Sequence, residues 1–200
     1  DGGTELMIDN QYIMSPKDLK TLDFLDKVLD AGVRVLKIEG RGRSPEYVKV
    51  VTRVYRQAVD AWLNGEWSSE KLEQWNKDLS SVYNRGFWDG YYQGQTLGEW
   101  NEAYGSKATE KKVYAAKTIK YFSKIGVAEF QVEAHDINVG DKLLITGPTT
   151  GAMFIDEVKE IRYDLKPVQT GKKGQRISIA VPDKVRPNDK LFILEKENDY

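Results

Sequence analysis

Apolar residues recur at two different periods along these 200 residues, and the period changes near residue 106. Before that point the spacing is helical. Ser15-Pro16-Lys17-Asp18 combines an N-cap serine, a proline at the first helical position and an acid in the first turn. Leu19, Leu22, Leu25, Val28 and Leu29 follow at helical intervals, and Ala31-Gly32 closes the pattern, which predicts a helix after a short strand over Thr4–Asp9. VRVLKIEG, residues 33–40, reads as the next strand. Ser44-Pro45-Glu46 repeats the helix-start grammar and opens a helix lined by Tyr47, Val51, Val54, Tyr55, Ala58 and Trp62, which ends at Asn64-Gly65. A third helix runs from Ser68 or Ser69 to about Val82.

That order is βαβα, the grammar of parallel sheets and (β/α) barrels. Parallel strands are buried on both faces. Two of them cannot cover themselves, so residues 1–105 are expected to be the C-terminal remnant of a TIM-like (β/α) barrel, completed by an absent N-terminal half or by another chain. Residues 83–105 are aromatic and glycine-rich and read as a connector that must pack. From residue 106 the period falls to two. Six alternating segments (VYAAKTIKYF, VAEFQVEA, DKLLITGP, AMFIDEVKEIRYD, QRISIAV and KLFILEK) are separated by Gly, Pro and Asn-Asp turns, which predicts a small β-barrel or sandwich over 106–200. The fold class is therefore α/β followed by all-β.

Composition removes several chemistries. With no cysteine, disulfides, thiolate metal sites and cysteine nucleophiles are excluded within the chain. The single histidine, His135, lies beside Asp136 and reads as a surface turn residue, which argues against a histidine metal site or a Ser-His-Asp triad. Net charge is −1, unevenly shared: residues 1–105 carry 13 Lys+Arg against 17 Asp+Glu, and residues 106–200 carry 17 against 14. No apolar run reaches transmembrane length and no signal peptide is present, so the expectation is a cytoplasmic protein without a membrane partner. The start at Asp1-Gly2-Gly3, without methionine, reads as a piece of something longer.

Candidate chemistry gathers after VRVLKI. Alternation puts Lys37 and Glu39 on one face of the predicted strand, toward a barrel interior, with Glu39 nearest the C-terminal end where such barrels place their sites. Arg41 and Arg43, spaced by Gly40 and Gly42, bring two cationic forks to the start of the next helix, a combination suited to a carboxylate or phosphate. A structural Lys37–Glu39 ion pair, with the arginines tying down neighbouring acids, explains the same residues. Asn84 and Arg85 form a second candidate, or a turn with a solvated arginine. Ser15 and Asp18 are capping residues, or site residues by their position after a strand. Lys107, Lys111, Lys112, Lys117, Lys120 and Lys124 are interleaved with Tyr114, Tyr121 and Phe122 and meet one acid, Glu110. Phosphate neutralisation beside stacking rings is an RNA-binding arrangement; a solvated strand face produces the same pattern.

YIMSPKDLK, GVRVLKIEGRGRSPEYVKVVTRVYRQAVD and VYNRGFWDGYY together resemble the C-terminal portion of the collagenase-like peptidase family U32. Its S-x-K-D-L segment falls on Ser15, Lys17, Asp18 and Leu19. Its K-I-E-G-R signature falls on Lys37 to Arg41, the helix after it on Tyr47, Val48, Tyr55, Arg56, Ala58 and Asp60, and its N-R-G-[FY] loop on Asn84 to Phe87. Val139-Gly140-Asp141, Ile145 to Pro148 and Pro187 to Leu191 are similar to the small β-barrel of translation elongation factors. The resemblance implies an N-terminal barrel half supplied from outside these residues, and a parent enzyme of one of two kinds. One is a collagenase-like protease acting on collagen-like polypeptide by an unestablished catalytic type. The other is prephenate-dependent hydroxylation of tRNA uridine, toward which we lean because the anionic-ligand and RNA features are present and a protease nucleophile is not. In that picture Lys37 and Glu39 are catalytic, Arg41, Arg43, Ser15, Asp18, Asn84 and Arg85 bind substrate, and the six lysines contact tRNA or other RNA. Relatives of the hydroxylating kind are implied to carry an iron–sulfur cluster on cysteines. Many have a cysteine directly after S-x-K-D-L, where this chain has Lys20, so no cofactor is expected within this chain and any cluster or prephenate belongs to the full-length protein. The 200 residues alone are expected to bind RNA or protein without catalysis.

Overall fold

The computed structural model describes residues 16–96, 98–100 and 105–197; Ser15 and the predicted strand over Thr4–Asp9 lie outside them. The chain divides into two units, residues 1–41 with 50–108, and residues 42–49 with 109–200.

The first unit contains β1 (Asp18–Leu19), a 3-10 turn (Leu22–Phe24), α1 (Leu25–Asp30), most of α2 (Pro45–Leu63), α3 (Ser69–Ser80) and β2 (Phe87–Trp88). β1 and β2 run parallel, with Asp18 opposite Phe87 and Leu19 opposite Trp88. Its buried apolar side chains include Leu22, Phe24, Leu25 and Leu29, Val50, Val51, Val54, Ala58 and Ala61 of α2, and Trp75, Leu79 and Val82 in and after α3. They recur at the three- and four-residue spacing that made the helices legible. Ser68 caps α3 by accepting a hydrogen bond from the Lys71 N–H at 3.3 Å.

Two expectations need correction here. The first serine-proline pair does not start a helix: Pro16 bridges to Trp100, Asp18 enters β1, and helical structure begins only at Leu22. A cap is worth about 1 kcal/mol. The parallel pairing of β1 with β2, together with an Asp18–Arg85 ion pair, overrides it. The second pair behaves as written, with the Val48 N–H donating to Ser44 O at 3.3 Å and α2 running 19 residues. The other correction concerns residues 33–40, which form no strand. Val33, Val35 and Leu36 are exposed, Val35 at 85%. A strand needs a ladder, and no described residue offers one on either side. The β1–β2 pair is the one sheet of this unit among the described residues, which therefore do not form a (β/α) barrel.

The second unit is antiparallel. β3 (Glu110–Phe122), β4 (Val127–Val132), β6 (Leu143–Gly147), β7 (Gly151–Ile155), β8 (Ile161–Tyr163), β9 (Lys166–Val168), β11 (Arg176–Ala180) and β12 (Lys190–Lys196) form one sheet in the order β7-β6-β12-β3-β4-β11-β8-β9. β5 (Ile137–Asn138) and β10 (Thr170–Gly171) pair separately. A single core includes Ala115, Ala116, Phe130, Ile137, Leu143, Ile145, Ile161, Ile177, Ile179 and Leu191, drawn from most of these strands. Register shifts at Thr118/Lys120 and Leu191/Phe192 mark irregularities in the long central pairings. The segment AMFIDEVKEIRYD, expected as one strand, is two, because residues 156–160 leave the ladder between β7 and β8.

The β8–β9 turn stores strain. Asp164 and Leu165 both take positive φ, 48° and 63°. This two-residue geometry favours Asp-Gly, and a left-handed leucine costs about 1–2 kcal/mol. Leu165 is 88% exposed and recovers little of that through burial. Leu165→Gly is therefore expected to raise stability by about 1 kcal/mol, seen as a higher urea midpoint with an unchanged slope.

Candidate functional site

The two motifs flanking the first unit's helices meet each other. The Asp18 carboxylate accepts the Arg85 backbone N–H at 3.0 Å through Oδ2, and the guanidinium at 2.9 Å (Nη2) and 3.3 Å (Nε) through Oδ1. Asn84 is buried; its amide donates to Val82 O at 3.0 Å and its carbonyl accepts the Gly86 N–H at 3.0 Å. Gly86 holds φ at 81°, which favours glycine. Lys17 pairs with Glu99 at 2.6 Å. Asp18, Asn84 and Arg85, expected as substrate ligands, thus bond to one another and to the turn, joining S-x-K-D-L to N-R-G-F. Lys20 donates to Asn76 at 2.6 Å, pairs with Asp23 at 2.7 Å and lies 5.2 Å from the Phe87 ring centre. With an ammonium so bonded at this position and no cysteine in the chain, these residues do not fit thiolate ligation of an iron–sulfur cluster.

The K-I-E-G-R-G-R stretch is arranged differently. Glu39 does not pair with Lys37; its Oε1 accepts the Arg41 N–H at 2.7 Å and closes the turn. Gly42 takes φ of 70°. The side chains of Lys37 and Arg41 make no hydrogen bond or ion pair among the described residues. Arg43 lies over the Tyr47 ring at 5.1 Å. The structural ion pair considered for Lys37 is therefore absent, and two cations stand open on either side of a carboxylate already committed to backbone.

Half of the basic run is neutralised. Lys111 approaches Glu195 at 3.6 Å, Lys112 pairs with Glu46 at 2.6 Å, and Lys117 pairs with Glu133 at 2.6 Å. Lys120 sits over Phe122 at 5.0 Å. Lys107, Lys120 and Lys124 have no carboxylate partner among the described residues. Tyr114 donates to Glu133; burial and that carboxylate push the phenol up to about 12. His135 Nδ1 contacts Tyr114 O at 2.8 Å, so the lone imidazole is tied to backbone on an exposed edge.

Glu46, in the first turn of α2, is buried. Desolvation pushes its carboxyl up, but hydrogen bonds from Lys112, Ser44 and its own backbone outweigh this and hold it below the ordinary carboxylate value. A depressed folded-state pKa adds stability that is present above the unfolded-state value and is lost as pH falls through the folded one. Wild type is therefore expected to lose its stability advantage over Glu46→Gln as pH drops below about 4.5, read as converging urea midpoints. An advantage that persists to pH 2 would contradict the pairing.

A feature that sequence reading passed over lies in the second unit. The turns around 147–151 and 187–190 wall a cavity of about 1080 Å³, which Arg43, Lys49 and Lys190 also line. Asp189, only 2% exposed, braces it: Oδ2 accepts Thr150 Oγ1 at 2.5 Å and the Arg186 N–H at 2.8 Å. Lys49 Nζ donates to Ala152 O at 2.8 Å. The Gly-Pro and Pro-Asn-Asp signals that marked the two turns were the trace of this site in the sequence. That they would face Arg43 and Lys49, about a hundred residues earlier, was not readable from local pattern.

The chain is thus a two-part protein, with a parallel strand pair locked by two motifs in the first unit and an antiparallel sheet in the second. The model of "Peptidase family U32" matches residues 1–102, and the chain belongs to that family. It is 57% identical to a collagenase of Porphyromonas gingivalis over 100% of this chain and 48% of the relative. It is 32% identical to an uncharacterised protease of Methanocaldococcus jannaschii over 98% of this chain and 48% of that protein. A tRNA hydroxylation protein P of Haemophilus influenzae is 27% identical over 94% of this chain and 40% of its own length. The chain thus spans about half the length of the curated relatives it matches, or somewhat less. No helix of the described residues is long and apolar enough to cross a membrane.

Proposed function

We propose that the intact protein takes part in prephenate-dependent hydroxylation of tRNA uridine, and that these 200 residues contribute anion- and RNA-binding surface to it without catalysing the reaction alone. The observation that carries this reading is the turn at residues 37–41. The side chains of Lys37 and Arg41 have no partner among the described residues, while Glu39 is held by the Arg41 N–H. Two open cations around a fixed carboxylate suit a dicarboxylate such as prephenate, with Lys37 and Arg41 binding it and Glu39 placed for proton transfer. The remainder of the barrel would come from residues of the intact protein outside this chain, as would any cluster ligands. The cytoplasm, where tRNA is modified, is the proposed location. The alternative nucleophiles are poorly served here: there is no cysteine, and the one imidazole is bound to Tyr114 O. Sequence likeness to proteins named for tRNA hydroxylation supports the same reading.

The second reading, a collagenase-like protease, is favoured by the 57% identity to a protein named collagenase. Mass spectrometry of tRNA nucleosides from a strain lacking the full-length gene separates the two. Loss of a 5-hydroxyuridine-type nucleoside, restored when the gene is returned, supports hydroxylation. An unchanged nucleoside profile, with gelatin cleaved by the intact protein, supports the protease and sinks hydroxylation.

A further inference from the structure

We propose that the cavity between the 147–151 and 187–190 turns of the second unit binds the phosphodiester backbone of single-stranded RNA; this rests on the proposed RNA role and assigns it a site. At about 1080 Å³ the cavity lies just above the range of about 300–1,000 Å³ usual for small-molecule pockets, which suits an extended ligand over a compact one. Cations outnumber acids in its lining three to one. Arg43, Lys49 and Lys190 line it, and the one acid in the lining, Asp189, is 2% exposed with its carboxylate occupied by Thr150 and the Arg186 N–H. The cations are also placed. Arg43 is seated over Tyr47, and Lys49 spends one N–H on Ala152 O and keeps two for a ligand. Lys190 has no partner side chain among the described residues.

Pro148 and Pro187 add apolar surface on the two walls, against which a ribose or base face can rest. The Asn188 side chain has no hydrogen-bond partner among the described residues and offers both a donor and an acceptor to a 2′-hydroxyl. A positively charged groove is how the backbone of a single strand is tracked; with no aromatic ring in its lining, the cavity would hold that backbone by charge and not by base stacking. The basic run of β3 is weaker on the same criterion, because Lys111, Lys112 and Lys117 each face a carboxylate.

The test is fluorescence anisotropy of a short fluorescein-labelled oligouridine titrated with the 200-residue protein over a series of salt concentrations. Lys49→Gln/Lys190→Gln is expected to weaken binding at least about tenfold near 0.1 M salt and to flatten the slope of log K against log salt by about 1.4, some 0.7 for each phosphate no longer neutralised. Lys166→Gln, on β9 and outside the cavity, serves as the control and should match wild type. If losing the Lys49 bond to Ala152 O unfolds the double variant, Lys190→Gln alone should still flatten the slope by about 0.7. Unaltered affinity and slope in the folded variants overturn the cavity assignment. So does a wild-type protein that ignores RNA and takes up an acidic peptide. The nucleoside profile decides the parent reading separately: a lost nucleoside with unaltered RNA affinity in the variants removes the cavity alone, whereas an unchanged profile removes the RNA role itself.

Discussion

Gly147→Ala is expected to destabilise the second unit by about 3–5 kcal/mol, the range for a buried charge pulled from its partners. A Cβ at residue 147 would lie 1.8 Å from Asp189 Oδ1 and 2.5 Å from its Cγ, far inside van der Waals distance. The carboxylate cannot simply swing away. Its other oxygen is bonded to Thr150 and Arg186, and the Asp189 backbone carbonyl accepts the Thr118 N–H at 2.8 Å. Either β6 moves from β12 or the carboxylate gives up its donors. Far-UV circular dichroism in urea measures the outcome. Asp189→Ala alone should cost less, about 1–3 kcal/mol, because it strands the Thr150 hydroxyl and the Arg186 N–H but no charge, while the double variant should cost clearly less than the sum, because removing the carboxylate removes the clash. A Gly147→Ala protein within about 1 kcal/mol of wild type would mean that Asp189 is not held as described.

Arg85→Ala is expected to cost the first unit about 2 kcal/mol, the value of charge-assisted hydrogen bonds. The pair is only partly exposed, 31% for the arginine side chain and 14% for the aspartate, so solvent weakens it without abolishing it. All five tryptophans, Trp62, Trp67, Trp75, Trp88 and Trp100, belong to this unit. Tryptophan emission therefore reads its unfolding without signal from the second unit. Arg85→Lys should recover less than half of the loss, since an ammonium keeps the charge but cannot reproduce the fork. If Asp18 and Arg85 were instead substrate ligands alone, Arg85→Ala would leave the emission transition in place and change only activity of the intact protein.

The elements that local pattern predicted well are those whose information is local. α2 and α3 carry an apolar face at helical spacing and start at recognisable residues, and the strands of the second unit alternate between turn signals. Ser15-Pro16 misled because its helix-start signal competes with a pairing partner about seventy residues away, in β2. Val33 to Gly40 misled in the opposite way: the alternation is there, but the ladder that would make it a strand is not among the described residues. The family motifs were legible as motifs. That S-x-K-D-L and N-R-G-F would spend their charged groups on each other was not, because sequence spacing cannot say which of two charged residues faces a ligand and which faces its neighbour. The cavity needed three stretches brought together, residues 43–49, 146–152 and 187–190, and only the fold does that.

The exposed run from Val33 to Ile38 also bears on how these 200 residues behave at high concentration. A segment outside any ladder that presents exposed apolar side chains is a template for another copy of itself. In isolation, the concentration at which the protein stays clear is then set by self-association and not by melting. A lysine in place of Val35, the most exposed apolar side chain of the run, should delay the rise in light scattering while leaving both unfolding transitions where they were.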